Sequence, residues 1–167
     1  MEKVRELYQL YEKRIFRYFL GLTLNYHVAE ELTQETFFQV LRTFYRFRGD
    51  SQVTTWLYGT ARNVYRTWKR KQALSPLPLE QEIIDLPDPN EPSSILEEKE
   101  SLKLILNVLT DMPEKQREVI WLREYQDLSY EEIAVVMERS LAWVKVTLHR
   151  ARSNFQNIYN ERRKDAQ

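Results

Sequence analysis

Between Phe47 and Lys71 the chain reads FRGDSQVTTWLYGTARNVYRTWKRK, the stretch richest in side chains that could bind a charged, planar ligand. Trp56, Tyr58, Tyr65 and Trp68 alternate with Arg62, Arg66, Lys69, Arg70 and Lys71. Cationic side chains hold a phosphate backbone by Coulomb attraction and counterion release. Aromatic rings accept an unstacked base on their faces, a surface that paired strands do not offer. Together they read as a contact for separated nucleic-acid strands, entered through the polar loop Arg48-Gly49-Asp50-Ser51. The same residues also fit an amphipathic helix with an aromatic core stripe and a solvated basic face.

Helices must position these groups. Val4, Leu7, Tyr8, Tyr11, Ile15, Tyr18, Phe19 and Leu22 recur at three- and four-residue steps and predict a helix over 2–22, with Gly21 near its end. Val28, Leu32, Phe37, Val40, Leu41 and Phe44 predict a second over 27–45, its start favoured by Glu30 and Glu31 through the helix dipole. Thr54 is the expected N-cap of a third over 55–72, with Leu57, Ala61, Val64 and Trp68 as its apolar stripe. Gly59 inside it has no rationale in the sequence.

Residues 74–94, LSPLPLEQEIIDLPDPNEPSS, hold five of the six prolines, lack a helical period and read as an acidic, extended linker. Ile83, Ile84 and Leu86 form an apolar island within it. A second helical unit spans 95–167. Ile95, Leu102, Ile105, Leu106 and Leu109 mark its first helix, and Pro113 suits the first turn of the next, which buries Val119, Ile120 and Leu122. Ser129 with Glu132 makes a capping box for a short helix over 130–138. A turn at Glu138-Arg139 follows, then a helix capped by Ser140, with Val144, Leu148, Ala151 and Phe155 facing inward and Trp143, Lys145, Thr147, Arg150 and Arg152 outward. A short helix, a tight turn and a longer basic helix make a helix-turn-helix, whose second helix fits the major groove. The fold expected is all-α: two small helical domains, 1–73 and 95–167, joined by the acidic proline-rich linker 74–94.

Composition narrows the function. The 167 residues carry a formal net charge of zero, partitioned as +6 over 1–73, −7 over 74–100, −4 over 101–138 and +5 over 139–167. Two basic blocks separated by acidic ones fit two nucleic-acid contacts on one chain. The sequence has no cysteine, which excludes disulfides, thiolate zinc sites and cysteine nucleophiles. His27 and His149 fall in different domains, no glycine-rich phosphate loop occurs, and the Glu30-Glu31 and Glu131-Glu132 pairs suit helix starts, so no catalytic, cofactor or metal residues are expected. No apolar run approaches the roughly 18 residues that span a bilayer, and the first residues do not read as a secretory signal.

Taken together, AEELTQETF at 29–37, FRGDS at 47–51, TWLYGTARN at 55–63, LSYEEIA at 128–134 and VKVTLHRAR at 144–152 resemble the extracytoplasmic-function (ECF, group 4) sigma factors, the compact branch of the sigma-70 family of bacterial RNA polymerase subunits. The likeness covers nearly the whole chain in order. It implies that the helix bearing Glu31, Gln34, Glu35 and Phe38 binds the clamp coiled coil of the polymerase's largest subunit, and that the flap of the other large subunit is a further partner. It implies that Phe47, the following loop with Arg48, Asp50 and Ser51, and Asn63 form the pocket for a base flipped from the −10 element, that Trp56 also contacts −10 DNA, and that Arg62, Arg66, Lys69 and Arg70 hold nearby phosphates. It implies that Ser140, Trp143, Lys145, Thr147, His149, Arg150 and Arg152 read or flank the −35 element. The usual Gly-Thr before Val-Lys is replaced here by Ala142-Trp143, and the usual small-basic pair after Lys145 by Val146-Thr147. Trp143 could therefore touch sugar and thymine methyls or pack on a neighbouring helix. The resemblance further implies an acidic linker threading the basic RNA-exit path, an anti-sigma partner that is often membrane-borne, and a cytoplasmic protein that joins the nucleoid when active in a stress response. A free-standing DNA-binding regulator would leave AEELTQETF and the aromatic loop without a role, and a decoy for an anti-sigma protein would not need the basic and aromatic residues.

Overall fold

The structure, a computed structural model, describes residues 1–49, 52–75 and 93–165, with side chains from residue 99 in the last stretch. The expectations for Asp50, Ser51, the Ile83-Ile84-Leu86 island and nearly all of the linker lie outside these residues. The first unit is built from α1 (Glu2–Thr23), α2 (Tyr26–Thr43), a 3-10 turn (Phe44–Arg46) and α3 (Val53–Leu74). The second contains α4 (Ser93–Thr110), α5 (Glu114–Ile120), a single π-turn (Trp121–Tyr125), α6 (Tyr130–Met137) and α7 (Leu141–Asp165). No strand occurs among the described residues.

Local sequence explains most boundaries. α1 runs through Gly21 and ends at Leu24, which adopts a left-handed conformation (φ 56°) as its N–H reaches the Leu20 carbonyl. Asn25 then caps α2, its Oδ1 accepting from the Val28 N–H at 3.0 Å. Because the helix starts at Tyr26, Glu30 and Glu31 lie beyond its first turn and are not its N-terminal acids. Thr54 is not the cap of α3. The helix starts two residues before the expected 55, at Val53, and the Thr54 hydroxyl instead hydrogen-bonds the Tyr11 hydroxyl at 3.0 Å. Pro113 stands immediately before α5, where its missing N–H is not needed.

The helix-turn-helix forms as its caps predict. Ser129 Oγ accepts from the Glu132 N–H at 3.1 Å, and the Glu132 carboxylate accepts from the Ser129 N–H at 3.2 Å. Glu138 makes the turn at φ 55°, and Ser140 Oγ then accepts from the Trp143 N–H at 3.1 Å. Ile133, Val136 and Met137 of α6 pack with Val144, Leu148 and Ala151 of α7 in the core.

The periodic stripes are buried as expected in the main. Ile15, Tyr18, Phe19, Leu22, Val28, Leu32, Val40, Leu57, Ala61 and Val64 form the first unit's core, whereas Leu41, expected inside, stands exposed at the distal end of α2. The two units do not stand apart. α3 packs along α6, and α1 packs on α5 and the π-turn, so one continuous apolar core runs through both.

Candidate nucleic-acid interface

α3 presents two different faces. Trp56, Thr60, Asn63, Thr67 and Lys71 follow one another at helical spacing and line an open groove of about 650 Å³ against Glu35, Gln39, Thr43 and Arg46 of α2 and the 3-10 turn. Asn63 is exposed, whereas Trp56 and Trp68 are half-buried. At the groove's upper end Phe47 leans on Trp56, ring centroids 5.2 Å apart, and stacks loosely on Phe44 at 6.1 Å. Gly49 follows with φ +78°, a conformation that disfavours other residues, and no atom lies near where its Cβ would be. Arg48 is exposed beside it. An amide, an aromatic wall and flanking cations around an open cleft could recognise the polar edge and face of an unstacked base.

The opposite face of α3 is covered by the second unit. Tyr58 and Tyr65, grouped above with the candidate base platforms, are buried on the side of α3 that packs along α6 and meets Gln126. Tyr58 donates its hydroxyl to Gln126 Oε1 at 2.5 Å, and burial pushes its pKa up to about 12. Tyr65 is raised too, chiefly by burial. Arg62, expected on the phosphate-holding surface, is only 5% exposed. Its Nε donates to Glu118 Oε1 at 2.7 Å, and the same oxygen accepts from the Tyr18 hydroxyl at 3.3 Å. Arg66 pairs with Glu138 at 3.4 Å, and Lys69 pairs with Glu114. Arg70 is exposed on α3, one of its guanidinium nitrogens 3.3 Å from the Thr67 hydroxyl.

Two further surfaces complete the picture. Along α2, Glu31, Gln34, Glu35 and Phe38 are exposed as one face, with the Phe38 ring 53% exposed and Arg42 resting over it at 5.6 Å. Ser140, just before α7, and Lys145, His149, Arg150 and Arg152 on it are exposed. Arg152 pairs with Glu124 at 2.6 Å, a hydrogen bond that raises its pKa. Trp143 is half-buried, packed against its own turn with the Arg139 guanidinium 5.1 Å from the ring. Thr147, expected to face outward, is 9% exposed. It follows Val144 by three residues and precedes Leu148, so helical geometry carries it onto the edge of the stripe packed on α6.

Models of Sigma-70 region 2 and of Sigma-70, region 4 match residues 7–74 and 102–154, the stretches that hold these surfaces. The RNA polymerase sigma factor YlaC of Bacillus subtilis (strain 168) is 31% identical over 153 residues, covering 90% of this chain and 88% of that protein. The ECF RNA polymerase sigma-E factor of Escherichia coli (strain K12) is 30% identical over 136 residues, 76% of this chain and 71% of that protein.

The chain belongs to the ECF sigma factors.

Its function is that of the family, promoter-specific initiation of transcription by RNA polymerase. The fold agrees: the sigma factor RpoE bound to the anti-sigma factor NepR, from Bartonella quintana, superimposes with a TM-score of 0.79 at 20% identity, over 96% of this chain and 98% of that one. CnrH in complex with the cytosolic domain of CnrY superimposes with a TM-score of 0.71 at 18% identity. Among the described residues of this sigma factor no helix is long and apolar enough to cross a membrane, and no cluster of His, Asp and Glu could hold a metal ion.

The structure also brings forward residues that sequence reasoning passed over. Glu118, Trp121 and Gln126 all touch the first unit, and Gly21 is the seat of the Trp121 ring. Two signals were available. Glu118 is a carboxylate adjoining the apolar Val119-Ile120 pair, and Gly21 interrupts the apolar run from Tyr18 to Leu22.

Proposed function

We propose that this sigma factor divides its promoter contacts between the α2–α3 groove and the exposed face of α7. Asn63, at the middle of the groove, takes the polar edge of a base flipped from the −10 element, and Phe47 and Trp56 wall its ring. Unstacking a base costs a few kcal/mol, so a shaped polar pocket supplies melting and selectivity together. Lys145 and Arg150 hold phosphates of the −35 duplex, with Ser140 near the entry of α7 into the major groove. Trp143, packed on its own turn, acts there mainly as a wedge that fixes the angle of α7. The exposed Glu31–Gln34–Glu35–Phe38 face of α2 docks on the polymerase clamp. The observation that carries this reading is the clustering of Asn63, Trp56, Trp68 and Arg46 around one open groove beside that docking face.

The finer partners follow the family. An anti-sigma protein, membrane-borne in many relatives, restrains the chain until a stress signal arrives, and the free sigma factor works in the cytoplasm on the nucleoid. Of the proteins whose folds this chain shares, RpoE is in complex with the anti-sigma factor NepR, and CnrH with the cytosolic domain of CnrY. Run-off transcription with purified core polymerase over a pool of randomised promoters tests the reading. Transcripts sharing two spaced elements support it. Core binding without transcripts refutes the promoter contacts, and failure to bind core refutes the α2 docking face.

A further inference from the structure

We propose that Tyr45 is a second base platform of this sigma factor. Its ring stacks the nucleotide adjoining the one held in the Asn63 groove, and Arg46 holds the phosphate between them. This role rests on the reading of the α2–α3 groove as the pocket for a base flipped from the −10 element. Tyr45 is 75% exposed and lies outside the apolar core, although both of its aromatic neighbours in the chain, Phe44 and Phe47, are half-buried. Flipping one base out leaves the next without a stacking partner on one side. A fixed ring beside the pocket replaces that partner and lowers the cost of holding the strands apart.

The 3-10 turn explains why the ring faces outward. Such a turn closes every three residues, so side chains at i and i+3 eclipse and those between them fall about 120° to either side. Phe44 and Phe47 are the eclipsed pair: their rings stack at 6.1 Å and 25°. Both also meet Trp56 of α3, at 5.9 and 5.2 Å, which pins the turn to the wall of the groove. Tyr45 and Arg46 take the two remaining directions, and both are exposed. Arg46 lines the groove. Its Nε donates to the Tyr45 hydroxyl at 2.9 Å, with the guanidinium carbon 5.3 Å from the ring centroid. One side chain of the groove therefore holds the phenol by its edge. Arg48, exposed just beyond Phe47, adds a second cation at the same end. Exposed rings set among cations are what an unpaired strand needs, because every base has a face to stack and every linkage a charge to neutralise. Phe38 and Leu41 are also exposed, and Tyr45 follows them at steps that would continue their face along an α-helix. What ties Tyr45 to the groove rather than to that docking face is its hold on Arg46.

The test uses holoenzyme reconstituted from core polymerase and this chain, on a promoter that it transcribes from the randomised pool. The −10 region of a fluorescein-labelled copy is left unpaired, each of its non-template nucleotides is made abasic in turn, and binding is read by anisotropy. The wild type should lose affinity at the position taken by Asn63 and at one adjacent position. Tyr45→Ala should weaken binding of the intact probe by about 5- to 140-fold, the range for losing one base–aromatic stack. It should also abolish the abasic penalty at the adjacent position and nowhere else. Tyr45→Phe keeps the ring and should keep that penalty. All four bases should be tolerated there within a few-fold, since stacking is indifferent to the Watson–Crick edge. Arg46→Ala should lower the slope of log affinity against log salt by about 0.7, whereas Tyr45→Ala leaves it unchanged. If Tyr45→Ala has no effect, or weakens intact and abasic probes by one common factor, the platform is refuted. Equal loss in Tyr45→Phe also refutes it, by making the hydroxyl's grip on Arg46 the whole effect. Loss of core binding of the same size assigns the ring to the polymerase face and refutes it as well. If Asn63→Ala abolishes the penalty at its own position while Tyr45→Ala abolishes none, the pocket stands and the platform falls. The reverse result removes the pocket and leaves the platform, and a holoenzyme that transcribes no promoter overturns both.

Discussion

Removing one partner of the Arg62–Glu118 pair should weaken domain closure far more than removing both. Arg62 and Glu118 are 5% and 1% exposed and 2.7 Å apart, so both charges are largely desolvated. With Glu118→Leu the guanidinium keeps its charge and loses the carboxylate it is paired with, a change worth about 3–5 kcal/mol for a buried pair. Arg62→Met leaves the carboxylate with the Tyr18 hydroxyl at 3.3 Å as its remaining donor, and a loss of similar size is expected. The double variant buries two apolar side chains of comparable volume, leaving chiefly the Tyr18 hydroxyl without its acceptor at about 1–3 kcal/mol. The coupling energy of the cycle should therefore be about 3 kcal/mol or more. The chain has an escape, because opening returns the orphaned charge to water. The loss then appears as a shift in the closed-to-open ratio, roughly a hundredfold for 3 kcal/mol. Urea titration followed by tryptophan fluorescence, with hydrogen exchange at the α5 amides, reads both the cycle and the opening. Single variants that cost less than about 1 kcal/mol, with no coupling, would mean the pair behaves as a solvated surface pair and does not hold the domains together.

Four other outcomes are expected. Asn63→Ala should lower open-complex formation while core polymerase binding is unchanged, and equal loss of both would remove Asn63 from the pocket. Lys145→Ala should weaken duplex binding by a similar factor across −35 variants and lower the salt slope by about 1, whereas loss at one base only would make it a specificity residue. Burial raises Tyr58 from 10.0 to about 12, so its contribution to closure is fully present below about pH 10 and is lost as pH rises through about 12. Tyrosinate absorbance should show late-titrating phenols in the wild type that move toward 10 in Gly21→Ala, whose methyl meets the Trp121 ring, and coincident titrations would contradict the burial of Tyr58 and Tyr65. Gly59→Ala should stabilise α3 by about 1 kcal/mol and raise Tm by roughly 2–4 °C, since no atom lies within 4 Å of the added Cβ. A fall in Tm would show that the glycine is needed for something other than packing.

The helices and their order were legible because each signal is local. A stripe at three- and four-residue steps marks what must be buried, and Ser129, Glu132 and Ser140 mark where backbone N–H groups need acceptors. Both requirements are met within a few residues of chain, so tertiary context could not overturn them. The same holds for the groove, whose members on α3 share one face by helical spacing alone. Two local signals were misjudged for different reasons: Asn25 caps α2 through a bond three residues long, ahead of the acids downstream, whereas Thr54 gave up capping for a tertiary bond to Tyr11.

What covers a mixed face is another matter. Tyr58, Arg62 and Tyr65 each carry an apolar body and a polar tip, so the sequence is equally consistent with presenting them to a ligand or enclosing them. The choice was made by Glu118 and Gln126, placed 56 and 68 residues further along the chain and opposite α3 only once α5 and the π-turn had formed. Thr147 shows the same limit at smaller scale, its burial set by how far α6 wraps around α7. Gly21 read as the end of a helix because glycine often ends one, yet it lies inside α1 and serves the ring of Trp121, a hundred residues away in sequence. By itself the amino-acid order determined the helices, the caps of the helix-turn-helix, the charge blocks and the family. The meeting of the two domains, and the face of α3 hidden by it, arose only in three dimensions, because steric fit and charge pairing between distant segments leave no periodic trace in either one.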